Sequence, residues 1–272
     1  MTAAFQPPGF DPGTVWLVGA GPGDPGLLTL HAAHALARAD VVLHDALVSP
    51  EILALAAGAR LEPVGKRAGG RRTAQMRINE RLVQLARAGL RVVRLKGGDP
   101  LVFGRGSEEA LALAAAGIAL RIVPGISAGI GGTAAAGIPL THRGLARSVA
   151  FVTGHDSTGG LPDSVDWQAL SRGADVLVLY MGLRQIGAIA ARLRAAGRPA
   201  GTRLAFISDA TTPRQRVRTG TLEEAERIAA AIPAASPTLI VIGEVVALRP
   251  CIAAWQQAPP AHAAAVPSLA TA

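Results

Sequence analysis

The stretch VWLVGAGPGDPGLLTL, residues 15–30, decides the fold. Four apolar residues, Val15 to Val18, run into Gly19, Gly21, Gly23 and Gly26 with Pro22 and Pro25 among them. From Leu27 to Arg38 the pattern changes to an alanine- and leucine-rich segment of helical period, and Val41 to His44 is again short and β-branched. An apolar run of strand length, a glycine turn, an amphipathic run and a second strand predict an α/β domain.

The glycines allow two readings. Gly21-x-Gly23-x-x-Gly26 formally matches the dinucleotide fingerprint, and Asp45, at the end of the second strand, stands near the distance at which that fold places its ribose-binding acid. Pro22 and Pro25 oppose this, because their fixed φ and the restriction they place on the preceding residue favour an open turn over a helix that begins at the first glycine. The segment therefore reads as a turn whose backbone lets a ligand approach closely, with a nicotinamide-dependent dehydrogenase as the rival.

Downstream the alternation continues. A helix is predicted over Thr73 to Arg87 with Gly89 as its stop, then a strand at Val92 to Leu95, a helix at Glu108 to Ala116 and a strand at Leu120 to Val123. Ile122 to Thr141 carries no charge and is long enough to span a membrane, yet it holds Pro124, Pro139 and five glycines, which suits a loop or linker. The alternation restarts with strands at Val149 to Thr153, Val176 to Tyr180, Leu204 to Ile207 and Leu239 to Ile242, a further candidate strand at Arg214 to Thr219, and helices at Arg184 to Ala196 and Leu222 to Ala230. The expected organisation is two α/β domains, residues 14–135 and 136–252, with a flexible leader at 1–13 and a disordered, low-complexity tail at 253–272. A length of 272 residues fits two domains of about 150 residues each.

Two further glycine-bearing motifs follow strands, where open α/β sheets bind ligands. In VVRLKGGDPLVFGRGSEE, from Val92, Gly97 and Gly98 can turn backbone groups toward a ligand and Asp99 offers a carboxylate; the plainer reading is that Asp99-Pro100 only makes a turn. In VPGISAGIGGTAAAGIPLTHRGLARS, from Val123, Ser127 precedes an alanine-rich run and reads as a helix N-cap.

Composition narrows the function classes. A formal charge of +8 suits nucleic acid, a membrane surface or an anionic small molecule. Aromatic residues are only 3% of the chain and the arginines are scattered, so base-stacking platforms are hard to build and a small anion ranks first. The lone Cys251 permits no internal disulfide and fits a reducing compartment, and the N-terminus lacks the pattern of a secretory signal. Lys66 and Lys96 are the only lysines in an arginine-rich chain; lysine can exchange a proton where arginine cannot, so each is a candidate for chemistry. His31 and His34, three apart on a helix, lack an evident third ligand and read as helix surface, so no metal is expected.

Taken together, GAGPGDPGLLTL, VVLHDALVS, VGKRAG, Gln75-x-x-Ile78-Asn79, VVRLKGGDPLVFGRG, VPGISA, AAGIPLTHRGLA, VTGH, LYMGL and VIGEVVAL resemble, in order and spacing, the uroporphyrinogen-III C-methyltransferase family of tetrapyrrole methylases. The similarity runs from about Val15 to Leu248. It implies a two-domain α/β fold distinct from the common Rossmann methyltransferases, with the cofactor in a cleft between the domains, in a cytoplasmic homodimer. It further implies transfer of methyl groups from S-adenosyl-L-methionine to two ring carbons of uroporphyrinogen III, leaving S-adenosyl-L-homocysteine and giving precorrin-2, for sirohaem or cobalamin biosynthesis. No nucleic acid, membrane or metal enters that picture.

Carried over residue by residue, the resemblance implies cofactor contacts from Pro22, Gly97, Gly98, Asp99, Val102, Ser127, Ala128, Met181 and Ala210. Ser127 stands where threonine is common and keeps the hydroxyl. Ala210 stands where glycine is common, which matters if that turn requires a positive φ. Asp45 matches the family's proposed proton acceptor and Lys66 its proposed donor; a capping acid and a carboxylate anchor are the respective alternatives. An octacarboxylate substrate gives the basic balance a purpose, with Arg67, Arg71, Arg72, His142, Arg143 and Arg147 as candidate grips. A methylase of a later precorrin would share GAGPGDP, and VGKRAG with PLTHRG argues against it.

Overall fold

The structure, a computed structural model, describes residues 6–64, 71–156 and 158–256, except the side chains of 71–74 and 255. It divides into two compact units, residues 1–131 and 132–272.

The first unit is built on five parallel strands: β1 (Val15–Gly19), β2 (Val41–His44), β3 (Arg60–Pro63), β4 (Val92–Lys96) and β5 (Leu120–Val123), in the order β3-β2-β4-β1-β5. Its helices are α1 (Leu30–Arg38), the single turn α2 (Pro50–Leu53), α3 (Arg71–Arg87), α4 (Gly106–Ala115) and α5 (Ala128–Ala135), the last of which crosses the division at Gly131. One sheet face packs Trp16, Val18, Val42, Val93 and Leu95 against Ala32, Ala35, Leu36 and Ile52 of α1 and α2. The other packs Val15, Leu17, Val41, Leu43 and Val92 against Leu82 and Leu85 of α3 and Leu113 of α4. Covered on both faces, β1 is apolar without alternation and wholly buried.

The strand order creates a switch point. From β1 the chain crosses over β4 to reach β2, and from β4 it crosses over β1 to reach β5, with α1 and α4 on opposite faces. The crossovers from the adjacent strands β1 and β4 depart there toward opposite faces of the sheet, which is where open sheets of this kind bind ligands.

The first helix starts later than its periodicity predicts. Asp24 accepts from Gly26 N at 2.7 Å and closes a short 3-10 turn, Pro25–Leu27, and only then does Thr29 cap α1 by accepting from Ala32 N at 3.1 Å. Within the expected flexible leader, Phe10 and Gly13 make defined contacts while Asp11 and Pro12 are exposed: the Phe10 ring is buried 4.5 Å from that of Trp16, and Gly13 N donates to Leu90 O at 3.1 Å. His31 and His34 are half-buried rather than on the helix surface, with the His34 ring 6.3 Å from Trp16.

The second unit carries β6 (Val149–Thr153), β7 (Val176–Tyr180), β8 (Arg203–Ser208), β9 (Arg216–Thr221) and β10 (Thr238–Ile242), in the order β6-β7-β10-β8-β9. Here β6 and β7 are parallel, and β10 lies antiparallel between β7 and β8, so the sheet is mixed. Its helices are α6 (Trp167–Gly173), α7 (Ile186–Ala195), α8 (Ala225–Ala230) and α9 (Arg249–Gln256). Leu177, Leu179, Leu204, Phe206, Ile240 and Ile242 bury one face under Trp167, Ile189, Leu193 and Ile228. Buried Arg198 closes α6 by donating to the carbonyls of Leu170, Ser171 and the C-cap residue Ala174, which gives acceptors at the helix end a partner. Residues 253–256, placed in the disordered tail by sequence, continue α9, and Gln256 Nε2 donates to Ala134 O at 2.9 Å; residues 257–272 lie outside the described residues.

Candidate functional site

Three loops converge at the carboxyl ends of β1, β4 and β5. Gly21 N donates to Gly98 O at 3.1 Å and Gly98 N to Gly21 O at 2.7 Å, a reciprocal pair that locks the first two loops beyond the ends of their strands. Both glycines have left-handed φ, 72° and 67°. The contact is backbone on backbone: a Cβ at Gly19 would lie 2.5 Å from Gly125 Cα, and one at Gly125 would lie 2.2 Å from Gly98 O. Asp99 ties the junction together, its Oδ2 accepting from Gly125 N at 3.1 Å and its Oδ1 from Leu101 N at 2.8 Å. Its carboxylate thus makes the turn that sequence suggested as the plain reading, and each oxygen keeps a further lone pair for a ligand.

This junction brings most of the first unit's candidate cofactor residues together. Gly97, Gly98 and Asp99 are half-buried in it, and a Cβ at Gly98 would lie 3.7 Å from Ala128 N and from Ser127 Cα. Ser127 stands immediately before α5, and its carbonyl accepts from Ile130 N and Gly131 N at 2.9 Å. Pro22 packs on the same helix, since a Cβ at Gly131 would lie 2.8 Å from Pro22 Cγ. Val102 follows in the loop to α4, where Phe103 and Arg105 hold left-handed φ of 52° and 59°. Non-glycine residues in that region store strain and concentrate at ligand sites. The dinucleotide reading loses its geometric support, because the helix that follows the glycines opens only at Leu30, behind a 3-10 turn at Pro25–Leu27, rather than at the first glycine.

Beside the junction lies a charged cluster. Asp45, just past β2 and 34% exposed, accepts from the Arg94 guanidinium through Oδ1, with Lys96 Nζ 3.8 Å from Oδ2. Arg94 Nε and Lys96 Nζ both donate to Oε1 of Glu109 in the first turn of α4, at 3.0 and 3.1 Å, and Gln75 Nε2 of α3 joins them at 3.1 Å. Glu109 is wholly buried, and Arg94 and Lys96 are 2% exposed. Burial first, and then the neighbouring guanidinium, push the Lys96 ammonium below the ordinary lysine range, while Glu109 and Asp45 pull it back. Two cations face two anions, a balance that a buried cluster needs, since stripping one partner from a buried pair costs about 3–5 kcal/mol.

Asp45 and Lys96 of this cluster were legible as single residues, whereas Arg94 and Glu109 stand inside the motif VVRLKGGDPLVFGRGSEE with no role that the motif alone suggested. A signal was present: Arg94 and Lys96, two apart in VVRLK, put two cations on one face of a strand otherwise buried on both sides.

In the second unit, Met181 follows β7 with φ 57° and is exposed, and Ala210 follows β8 between Asp209 and Thr211, whose φ values are 48° and 64°. Ala210 itself does not take a positive φ, so alanine in place of the family's common glycine carries no left-handed strain. Thr211 N donates to Gln215 Oε1 at 2.7 Å, which holds the turn. His142, Arg143 and Arg147 are exposed on the segment before β6; His142 pairs with Ala146, and Arg147 N donates to Asp175 Oδ2 at 2.7 Å. Lys66 and Arg67 lie outside the described residues, as do the side chains of Arg71 and Arg72, which open α3.

Residues 14–226 match the profile of the family described as Tetrapyrrole (Corrin/Porphyrin) Methylases. A uroporphyrinogen-III C-methyltransferase of Sinorhizobium sp is 56% identical over 89% of this chain and 87% of its own length. A siroheme synthase 1 of Yersinia enterocolitica is 53% identical over 94% of this chain, which spans 54% of that longer relative. Among solved structures, a uroporphyrin-III C-methyl transferase from Thermus thermophilus complexed with S-adenyl homocysteine superposes with a TM-score of 0.76 at 42% identity, covering 86% of this chain and 99% of that one. The chain belongs to the tetrapyrrole methylase family.

Proposed function

We propose that this chain is a uroporphyrinogen-III C-methyltransferase that uses S-adenosylmethionine and makes precorrin-2 by two successive transfers, at C2 and C7. The observation that carries the reading is the glycine junction at the switch point, in a chain 56% identical to a relative of that name. A junction in which glycine backbones meet without intervening side chains gives a bulky nucleoside close access to peptide groups, and Asp99 offers lone pairs to its hydroxyls.

S-adenosylmethionine supplies the methyl group on a sulfonium. A pyrrole carbon of the substrate attacks that methyl, the carbon–sulfur bond breaks as the carbon–carbon bond forms, and the ring system must then lose a proton. Asp45 is the proposed acceptor, a carboxylate beside the junction. Its placement supplies proximity, and general-base catalysis of this kind is worth about 10²–10⁴-fold. Lys66 is the proposed donor on the motif VGKRAG alone. Pro22, Gly97, Gly98, Asp99, Val102, Ser127 and Ala128 are the proposed cofactor contacts of the first unit, and Met181 and Ala210 those of the second. Arg67, Arg71, Arg72, His142, Arg143 and Arg147 are the proposed carboxylate grips. Assembly as a homodimer and residence in the cytoplasm belong to the same reading; the free Cys251 supports a reducing compartment, and no helix among the described residues is long and apolar enough to cross a membrane.

Titration calorimetry tests the cofactor class. S-adenosylhomocysteine is expected to bind at low-micromolar or tighter concentration and not to be displaced by NAD or NADP. Competition by a dinucleotide, or absence of any S-adenosylhomocysteine binding, would contradict the reading.

A further inference from the structure

We propose that Arg94 is a positioning residue for Asp45, anchored in turn by Glu109; the inference rests on Asp45 being the proton acceptor proposed above. Asp45 has its backbone fixed by the bond from its own N to Leu95 O at 3.2 Å, but the side chain emerges past the strand end, a third exposed, with rotamers open to it. Among the described residues its one side-chain hydrogen-bond donor is a single edge of one guanidinium, with the Lys96 ammonium a looser ionic partner 3.8 Å from Oδ2. Arg94 Nη2 donates to Asp45 Oδ1, while Nε is held by Glu109 Oε1 at 3.0 Å and Nη1 by the carbonyls of Leu95 and Leu43 at 3.2 and 3.5 Å.

A planar fork held on its other edges in a buried site cannot swing, so the edge offered to Asp45 has one direction. Holding Oδ1 leaves Oδ2 with no hydrogen bond among the described residues, and Lys96 Nζ, 3.8 Å away, is beyond hydrogen-bonding reach. Oδ2 is therefore the oxygen presented to take the substrate proton, and Arg94 decides where it stands. Lys96 has a different part: with Glu109 receiving Arg94 on the same Oε1, the second cation balances the buried carboxylate and keeps it from drawing Arg94 away from Asp45. A lysine at position 94 would keep the charge but could not bond Glu109, two carbonyls and Asp45 in one plane.

The test is a double-mutant cycle on the full chain: wild type, Asp45→Asn, Arg94→Met, and the two combined, with Arg94→Lys added because the buried methionine can impair folding. Each is assayed for kcat and KM of methyl transfer to uroporphyrinogen III, for S-adenosylhomocysteine affinity, and for urea unfolding. Arg94→Met is expected to lower kcat by roughly 10²-fold, the size of effect a misplaced reacting group produces, with S-adenosylhomocysteine affinity retained. Arg94→Lys is expected to fold and to lose roughly tenfold in kcat with KM unchanged, and the double variant to be no slower than Asp45→Asn alone. Wild-type kcat in Arg94→Lys and Arg94→Met, or losses that multiply in the double variant, would overturn the proposal. If the wild type binds S-adenosylhomocysteine but methylates no uroporphyrinogen III, the substrate assignment falls by itself. A parallel urea cycle with Asp45→Ala, which removes the acceptor that asparagine keeps, then decides the positioning contact, and additive losses for Asp45→Ala and Arg94→Met would overturn it.

Discussion

Asp45→Asn is expected to reduce kcat for methyl transfer by roughly 10²–10⁴-fold, the range over which a positioned general base acts, with S-adenosylhomocysteine affinity nearly unchanged. Asparagine has the size and shape of the aspartate and keeps an acceptor oxygen for Arg94 Nη2, so the guanidinium retains a partner. What it removes is the negative charge and the lone pair that collects the proton. The electrostatic cost is smaller than for a fully buried pair, because Asp45 is a third exposed and solvent screens it. A folded enzyme with damaged chemistry is the expected product, and steady-state kinetics beside calorimetry separate the two properties. A kcat close to wild type would remove Asp45 from the chemistry and leave it a capping acid.

Gly125→Ala should be the most damaging single methyl in the glycine junction. Its Cβ would fall 2.2 Å from Gly98 O and 2.7 Å from Gly19 Cα, and none of these is a side chain that can rotate away. Three strand-end loops would have to separate, breaking the bond from Gly125 N to Asp99 and straining the Gly21–Gly98 pair. The expected loss is about 3 kcal/mol or more, beyond ordinary overpacking because backbone must move, together with loss of S-adenosylhomocysteine binding. Gly58→Ala in the same unit is the control, since a Cβ there meets nothing within 4 Å and its φ is not left-handed. Urea unfolding of the two variants checks the contrast; equal stability would mean that the glycine junction is looser than its geometry.

The strands were legible because the centre of the first unit's sheet is buried on both faces: VWLVG and the first three residues of VVLH are apolar without interruption, and their lengths suffice to identify them. β3 was missed for the converse reason. Its residues, Arg60 to Pro63, are half-buried or exposed at the sheet edge, and RLEP is short, half polar and ends in proline, so it lacks the apolar run that marks the other strands. The shift of the first helix from Leu27 to Leu30 came from Asp24, Pro25 and Thr29, local capping chemistry that periodicity overlooks.

The glycine junction was half legible. Motif spacing put each loop after a strand, but only the order β4-β1-β5 makes Gly19, Gly98 and Gly125 neighbours. The charged cluster was least legible, because Asp45, Arg94 and Glu109 are separated by 49 and 15 residues and meet through topology alone. The rarity of lysine did point to Lys96, which stands buried within that cluster.

The central claim is tested most directly by anaerobic incubation of the pure protein with uroporphyrinogen III and methyl-labelled S-adenosylmethionine, followed by mass and absorbance. The expected result is a tetrapyrrole carrying two labelled methyl groups, with an intermediate carrying one at early times. An unmethylated tetrapyrrole, from protein that binds S-adenosylhomocysteine tightly, would contradict the assignment and move the substrate to another member of the precorrin series.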